Sequence, residues 1–385
     1  MTADRWAPVS SGDAEREKIW FKPRSFAQDV WRRFVRKPTA LAGLIAAALL
    51  IFFAIAGPMF TPYDYDKQVL SLANIPPVFD TVRAPAADRF LYVTGGMKVI
   101  QSDGRGMLLR QLTKIEDDFI AMRIAFTDGA DMEVYLDYGR QPPVLADAEG
   151  NPLPPGPRLW NRSYLLGTDH LGRDILTRLM FGTRISLTVA FIAAAVNMVI
   201  GTLYGGISAY LGGRVDGVMM RVVDIISTIP LTLYVILIKV TLSNGLAGII
   251  IALSSVYWVN MARVVRGQVL SLRQQEFVLA ARTIGSGTGT ILFRHLIPNA
   301  MGPILVTMMM LIPSAIFMEA FMSFIGIGIA PPMASLGTMC NDATEMLRAT
   351  PYQLFLPALM ICLIMFAFNF VGDGLRDALD PQLKK

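Results

Sequence analysis

Few side chains in this sequence are of types that do chemistry by themselves. There are two histidines, His170 and His295, and two cysteines, Cys340 and Cys362. Neither pair has a metal-ligand spacing. Cys362 lies inside an apolar run, which argues against a disulfide to Cys340. The topology argued below puts the histidines on opposite sides of a membrane. A His-based metal site or a Ser/His/Asp triad is then hard to assemble on one face. The run "GSGTGT" at 285–290 has the glycine spacing of a phosphate cradle. A phosphate loop, however, follows a buried strand and carries Lys then Ser or Thr after its last Gly. Here "RQQEFVLAARTI" before it reads as helix and "TILFRHLIP" follows, so the run reads as a turn between two helices.

Other candidates are polar groups within apolar stretches, which take a functional reading by default because charge in lipid is expensive. Glu319 is the clearest. It can line a substrate path, meet a second membrane subunit, or make a structural hydrogen bond near the end of its span. Arg221 and Asp224, three apart on a helix, read as a local ion pair, and Lys239 reads as snorkelling outward. Met308, Met309 and Met310 point in different directions around a helix, which favours packing over copper.

The elements that must position these groups are membrane helices. The chain has 385 residues, 53% hydrophobic and 17% charged, with a mean hydropathy of +0.47, too apolar for an ordinary soluble protein. A span needs about 20 mainly apolar residues, and six segments qualify: 39–60, 185–211, 218–240, 246–261, 300–321 and 354–371. The net charge of +5 reflects basic loops rather than nucleic-acid binding. Arg32, Arg33, Arg36 and Lys37 abut the first span, and Arg263, Arg266, Arg273, Arg282 and Arg294 crowd the stretch between the fourth and fifth. Both stretches belong in the cytoplasm. The connection "TLSNG" carries no Lys or Arg and, with the fifth-to-sixth connection, faces out. Both termini are then cytoplasmic and 61–184 lies outside.

The first span follows a charged tail and lacks a small-residue cleavage pattern, so it reads as a retained anchor. Ahead of it, Phe26, Val30, Trp31, Phe34 and Val35 share a helical stripe among basic residues, the pattern of a helix on the inner membrane surface, with partner binding as the alternative. Within 61–184 the composition changes over about 80–160. The runs "RFLYVT", "MKVIQS", "FIAMRIAF" and "MEVYLDY" alternate with the turns "GG", "SDGRG" and "TDGAD", and predict a small antiparallel β domain. The exit "NPLPPGPRLW" reads as a stiff proline-rich linker.

Two stretches, "LLGTDHLGRDILTRLMFGTRISL" and "EFVLAARTIGSGTGTILFRHLIPN", together resemble the permease subunits of bacterial ATP-binding-cassette importers of the dipeptide and oligopeptide type. Further matching stretches are "GPMFTPYDYDKQ", "GGRVDGVMMRVVDIISTIP" and "EAFMSFIGIGIAPPMASLGTM". The resemblance covers nearly the whole chain outside about 80–160. In that family a Glu-Ala-Ala motif with a downstream Gly forms a coupling helix that docks on a cytoplasmic ATPase. The resemblance assigns this role to Glu276, Ala280, Ala281 and Gly285, with Pro298 closing the segment at about 273–298. The residues agree: Phe277, Ala281 and Ile284 share one helical face, the two alanines permit close approach, Glu276 suits a helix start, and Gly285 suits a left-handed end. "RHLIPN" is also a family stretch, so His295 reads as structural.

The expected fold is an all-α polytopic membrane protein of six transmembrane helices, of the type I importer permease kind, with a small β-rich extracytoplasmic insertion. The expected organisation is a tail over 1–38 with an interfacial helix, a first span over 39–60, an external segment over 61–184, a five-helix core over 185–371, and a tail over 372–385. The resemblance implies peptide import in the bacterial inner membrane. It also implies a second homologous permease, two ATPase chains that hold ATP and Mg, and an external binding protein. This chain would then hold no catalytic residue, cofactor or metal. Related permeases serve nickel, glutathione and oligosaccharides, and an intramembrane enzyme using Glu319 or His295 is the distant alternative, opposed by the lack of converging paired groups.

Overall fold

A computed structural model describes residues 26–85, 89–129, 132–242 and 245–379. The tail before residue 26, residues 243–244 of the "TLSNG" connection, the last two residues of the "TDGAD" turn and 380–385 lie outside the described residues.

The helical part is built from α1 (Phe26–Arg36), α2 (Pro38–Ala56), α3 (Ile175–Leu211), α4 (Gly213–Thr228), α5 (Leu231–Leu242), α6 (Leu246–Leu272), α7 (Glu276–Thr283), α8 (Thr288–Phe324), α9 (Leu336–Ala343) and α10 (Tyr352–Leu379). Five segments, Pro38–Phe60, Ile175–Leu211, Leu246–Leu272, Thr288–Phe324 and Tyr352–Leu379, are each long and apolar enough to cross a membrane. The stretch 218–240 expected as one straight span is instead the pair α4 and α5, bent by 88°. The cause is local: Pro230 offers no N–H and disfavours helix at the residue before it, and Ile229 is extended at φ −82 and ψ 128.

The α3 and α6 pair forms the centre of the bundle. Their approach rests on Gly201 and Gly205, one turn apart on α3, where any Cβ would collide with Met261 or with the backbone of Ala262. This is the small-xxx-small device by which membrane helices pack when no hydrophobic driving force is available. The main core gathers Val189, Ala190 and Ala193 of α3 with Ala252, Leu253 and Val265 of α6 and Ile312, Ile316 and Phe368 of α8 and α10. At the chain start, α1 does more than lie flat. Phe34 is buried in a small cluster with Ala40 and Ala378, holding α1 to the end of α10, and Lys37 bonds Asp377 there. Trp31 stays exposed.

The inserted β-rich region is present as two antiparallel sheets. One has the order β4-β3-β2-β1-β9 and the other β5-β6-β7-β8, with β1 Val78–Arg83, β2 Arg89–Val93, β3 Val99–Asp103, β4 Leu108–Gln111, β5 Thr113–Asp118, β6 Arg123–Thr127, β7 Glu133–Asp137, β8 Val144–Ala146 and β9 Pro155–Trp160. Leu91 and Val99 from the first sheet and Ile124, Phe126, Val134 and Leu136 from the second share one core. The stretch read as a proline-rich linker contains β9, which pairs with β1 through Val78 with Trp160 and Phe79 with Leu159. Its prolines are accommodated because β9 is an edge strand, where a missing N–H costs no ladder bond on the open side. Entry and exit of the insertion therefore lie side by side.

Candidate functional site

Four features could carry function, and α3 separates the two ends of the bundle at which they lie. At 1.5 Å per residue its 37 residues span about 55 Å, separating the β-domain end from the α7 end.

At the α7 end, two arginines of the basic stretch tie the segment to the last turn of α3. Arg273 Nη1 donates to the carbonyls of Ala209 at 2.9 Å and Tyr210 at 3.3 Å, the favourable placement of a cation at a helix C-terminus. The Arg282 guanidinium sits 5.5 Å from the centre of the Tyr210 ring. Helix α7 begins at Glu276 and ends in a Schellman motif, with Ser286 N–H donating to Ala281 O at 3.0 Å and Gly285 N–H to Arg282 O at 2.9 Å. That closure needs a left-handed residue, and Gly285 supplies it at φ +82. The first half of "GSGTGT", 285–287, is thus the turn between α7 and α8 that the sequence suggests, while Thr288, Gly289 and Thr290 already form the first turn of α8.

The faces of α7 differ from the expectation. Phe277, Ala281 and Ile284 do not form one outward stripe: Ala281 turns inward with fully buried Val278, joining the main core alongside Ile291 and Leu292. Phe277, Leu279 and Ile284 stand exposed, Ile284 at 84%. Glu276, Ala280, Gly285 and Pro298 are also on the surface. The inward stripe is the i, i+3 pair Val278 and Ala281, so the remaining hydrophobics are left outside the chain's own core.

Glu319 belongs to a different place. It is fully buried, accepting from Ser186 Oγ at 2.7 Å and Ser323 Oγ at 2.9 Å, with Ser335 Oγ donating to Ser323 Oγ at 3.3 Å. Of its readings from sequence, the geometry supports the structural hydrogen bond, pinning α3, α8 and the start of α9 together. His295 and Glu319 are not brought together, since they stand at opposite ends of α8.

At the β-domain end lies a buried ionic network that the sequence reading missed. Asp169 accepts from Arg173 Nε at 2.7 Å and from Arg178, while both arginines also reach Asp342, at 3.1 and 3.3 Å. Burial pushes the Asp169 carboxyl up, but the Arg178 and Arg173 guanidiniums and the Arg173 N–H outweigh it and hold the group below the usual carboxylate range. Beside it, Asp174 caps α3 by accepting from Thr177 N–H at 2.8 Å. The signal in the sequence was the cluster of opposite charges Asp169, Arg173 and Arg178, the first two held together by a turn just ahead of α3.

Two expectations are corrected. Asp224 pairs with Arg263 at 3.1 Å and not with Arg221, because the bend places α4 against α6. Lys239 does not snorkel: it is buried, and its Nζ donates to Gly245 O at 3.2 Å.

Finally, a groove of about 710 Å³ opens at the α4/α5 break against α6, α8 and α10. Among the described residues no group of three or more His, Cys, Asp or Glu could hold a metal ion.

Comparison with known proteins matches residues 197–385 to the model of the binding-protein-dependent transport system inner membrane component. Residues 25–77 match the N-terminal TM domain of oligopeptide transport permease C. The chain is 39% identical to the oligopeptide transport system permease protein OppC of Bacillus subtilis, over 98% of this chain and 96% of that protein. It is 36% identical to the dipeptide transport system permease protein DppC of the same organism, over 99% and 94%. It is also 38% identical to the glutathione transport system permease protein GsiD of Pectobacterium atrosepticum, over 66% and 79%. These proteins are transport permeases and not enzymes. The chain belongs to the family of multi-pass inner-membrane permeases of binding-protein-dependent ABC transport systems.

Proposed function

We propose that this chain is one permease subunit of an ATP-driven importer of peptides. It works with a second homologous permease, two cytoplasmic ATPase chains that hold ATP and Mg, and an external binding protein that delivers cargo. In this arrangement α7 is the coupling helix, with Glu276, Ala280, Ala281, Gly285 and Pro298 shaping it. Both termini and α7 are cytoplasmic, in keeping with the basic residues at α1 and between α6 and α8, and α4 with α5 forms the sixth, broken span. Exposed Trp31 and the basic face of α1 rest on the inner membrane surface.

The observation that carries this reading is the divided surface of α7. Val278 and Ala281 lock it to the membrane core, while Phe277, Leu279 and Ile284 are left outside. Exposed apolar groups on a firmly anchored short helix fit a cleft on another protein. ATP-driven movement of such a partner would pass through Val278 and Ala281 to α8 and through Arg273 to α3, tilting the bundle about the groove. The glutathione relative keeps a γ-linked tripeptide within the same substrate class.

The test uses Glu276→Lys and Gly285→Pro in the native host. Both variants should reach the membrane in normal amount, retain no peptide uptake, and lose co-purification of the ATPase chains. Normal uptake in both would overturn the assignment of α7.

A further inference from the structure

In hydrocarbon an interrupted helix is tolerated only where protein or water takes up the freed backbone groups. The break at Ile229 and Pro230 faces the groove of about 710 Å³, whose polar lining is Ser227, Tyr257, Asn260, Thr307, Ser314 and Asn369, besides the hydroxyl of Thr228 at the break itself. All of these hydroxyls are engaged within the chain: Thr228 Oγ1 donates to Ile225 O at 2.7 Å, Ser227 Oγ to Val223 O at 2.6 Å, Thr307 Oγ1 to Pro303 O at 2.8 Å, Ser314 Oγ to Met310 O at 3.3 Å, and the Tyr257 hydroxyl to Ser314 O at 3.2 Å. The carboxamides of Asn260 and Asn369 differ. Neither has a hydrogen-bond partner among the described residues, and Asn260 is exposed while Asn369 is half-buried.

An amide turned to lipid forfeits every hydrogen bond it could make. Two such amides beside a helix break therefore mark a wall wetted by water or by a polar solute. None of the described lining residues is Asp, Glu, Lys, Arg or His. Arg263 touches the wall only through Ser227, to whose Oγ it donates at 2.7 Å, and its charge is met by Asp224.

We infer that this groove is the chain's half of the peptide route and that Asn260 and Asn369 hydrogen-bond the main chain of the passing peptide, an inference that rests on the importer reading above. A carboxamide offers both donor and acceptor, and each peptide residue presents one N–H and one C=O. The two asparagines thus address the group common to all peptides, and a lining without charge treats acidic and basic side chains alike. Selection by side chain is left to other subunits.

The test uses native-host membrane vesicles holding the complete transporter in a Cys362→Ser background. A membrane-impermeant maleimide should react at Asn260→Cys and not at Leu363→Cys on the exposed face of α10, and excess tri-alanine should slow the reaction at 260. Uptake of tri-alanine, tri-lysine and tri-glutamate should fall by about tenfold in Asn260→Leu and in Asn369→Leu, the loss expected from one buried hydrogen bond. The factor should be the same for all three peptides, and Asn260→Gln should recover most of it. With wild-type uptake intact, an unlabelled position 260, labelling indifferent to tri-alanine, unchanged uptake in the leucine variants, or a loss confined to one charge type would each overturn this inference alone. Wild-type vesicles that take up none of the three peptides would instead overturn the importer reading, and this inference with it.

Discussion

Asp169 shows how much one side chain can hold in place. It and the two guanidiniums it meets are almost wholly buried, whereas the Asp342 side chain, the outer member, remains 31% exposed. Removing one partner of a buried pair leaves an uncompensated charge and costs about 3–5 kcal/mol, while a partly solvated partner is worth about 1 kcal/mol or less. Asp169→Asn should therefore lower the melting temperature of the detergent-solubilised protein several-fold more than Asp342→Asn, and equal shifts would refute this ranking. The sign of the pH effect follows from the depressed carboxyl. Its stabilisation is fully present above the unfolded value near 4 and is lost as pH falls through the folded value. Wild-type stability should decline below about pH 4, and the Asp169→Asn variant should show a shallower decline over that range. The charges of Asp169, Arg173 and Arg178 were visible in the sequence, but the turn that brings 169 to 173, the arrival of Asp342 and the burial of the network were not. Nor could the sequence reveal that Asp224 would choose Arg263, because that pairing depends on α4 lying against α6, or that Lys239 would turn to Gly245 O.

Among the elements, those set by local chemistry were the most legible: the long apolar helices, the alternating strands, and the left-handed stop of α7 at Gly285. Elements set by their neighbours were not. The prolines of β9 suggest a linker until an edge position beside β1 accommodates them, and the hydropathy of 218–240 conceals the break that Pro230 enforces. The α3/α6 contact was written in the sequence as Gly201 and Gly205, one turn apart, yet only the structure shows what approaches them. At Gly205 a Cβ would meet backbone of Ala262, which cannot move aside as a flexible side chain can. Gly205→Leu should therefore separate the two helices, costing several kcal/mol by overpacking, and reduce the amount of folded chain in the membrane. Gly217→Leu is the control, since no atom lies near a Cβ there. Equal abundance of the two variants would count against a close-packed α3/α6 seam.

For the whole molecule, the question is whether the β domain is part of the membrane scaffold or an attachment to it. Its two ends are register partners, Phe79 opposite Leu159, so about 5 Å separates the points where the chain leaves and returns. Beneath that neck the connecting segments are tied to the bundle by bonds that do not involve the sheets. The Tyr352 hydroxyl donates to Ile75 O at 3.1 Å, and Gln353 Nε2 donates to Asn74 Oδ1 at 2.9 Å and to Thr168 O at 3.1 Å. The two sheets share a core of their own, separate from the bundle's. Deleting 80–158 and joining Phe79 to Leu159 through two glycines should therefore leave the helices inserted, with thiol labelling from each side of the membrane unchanged at positions in α7 and at the 61–77 segment. A deletion variant that is degraded, or that labels with either segment on the opposite side, would show that the sheets are needed to set the topology. Retained topology with lost uptake would instead place the domain in the delivery of cargo, because the proposed route through the bundle and the proposed coupling surface at α7 would both still be present.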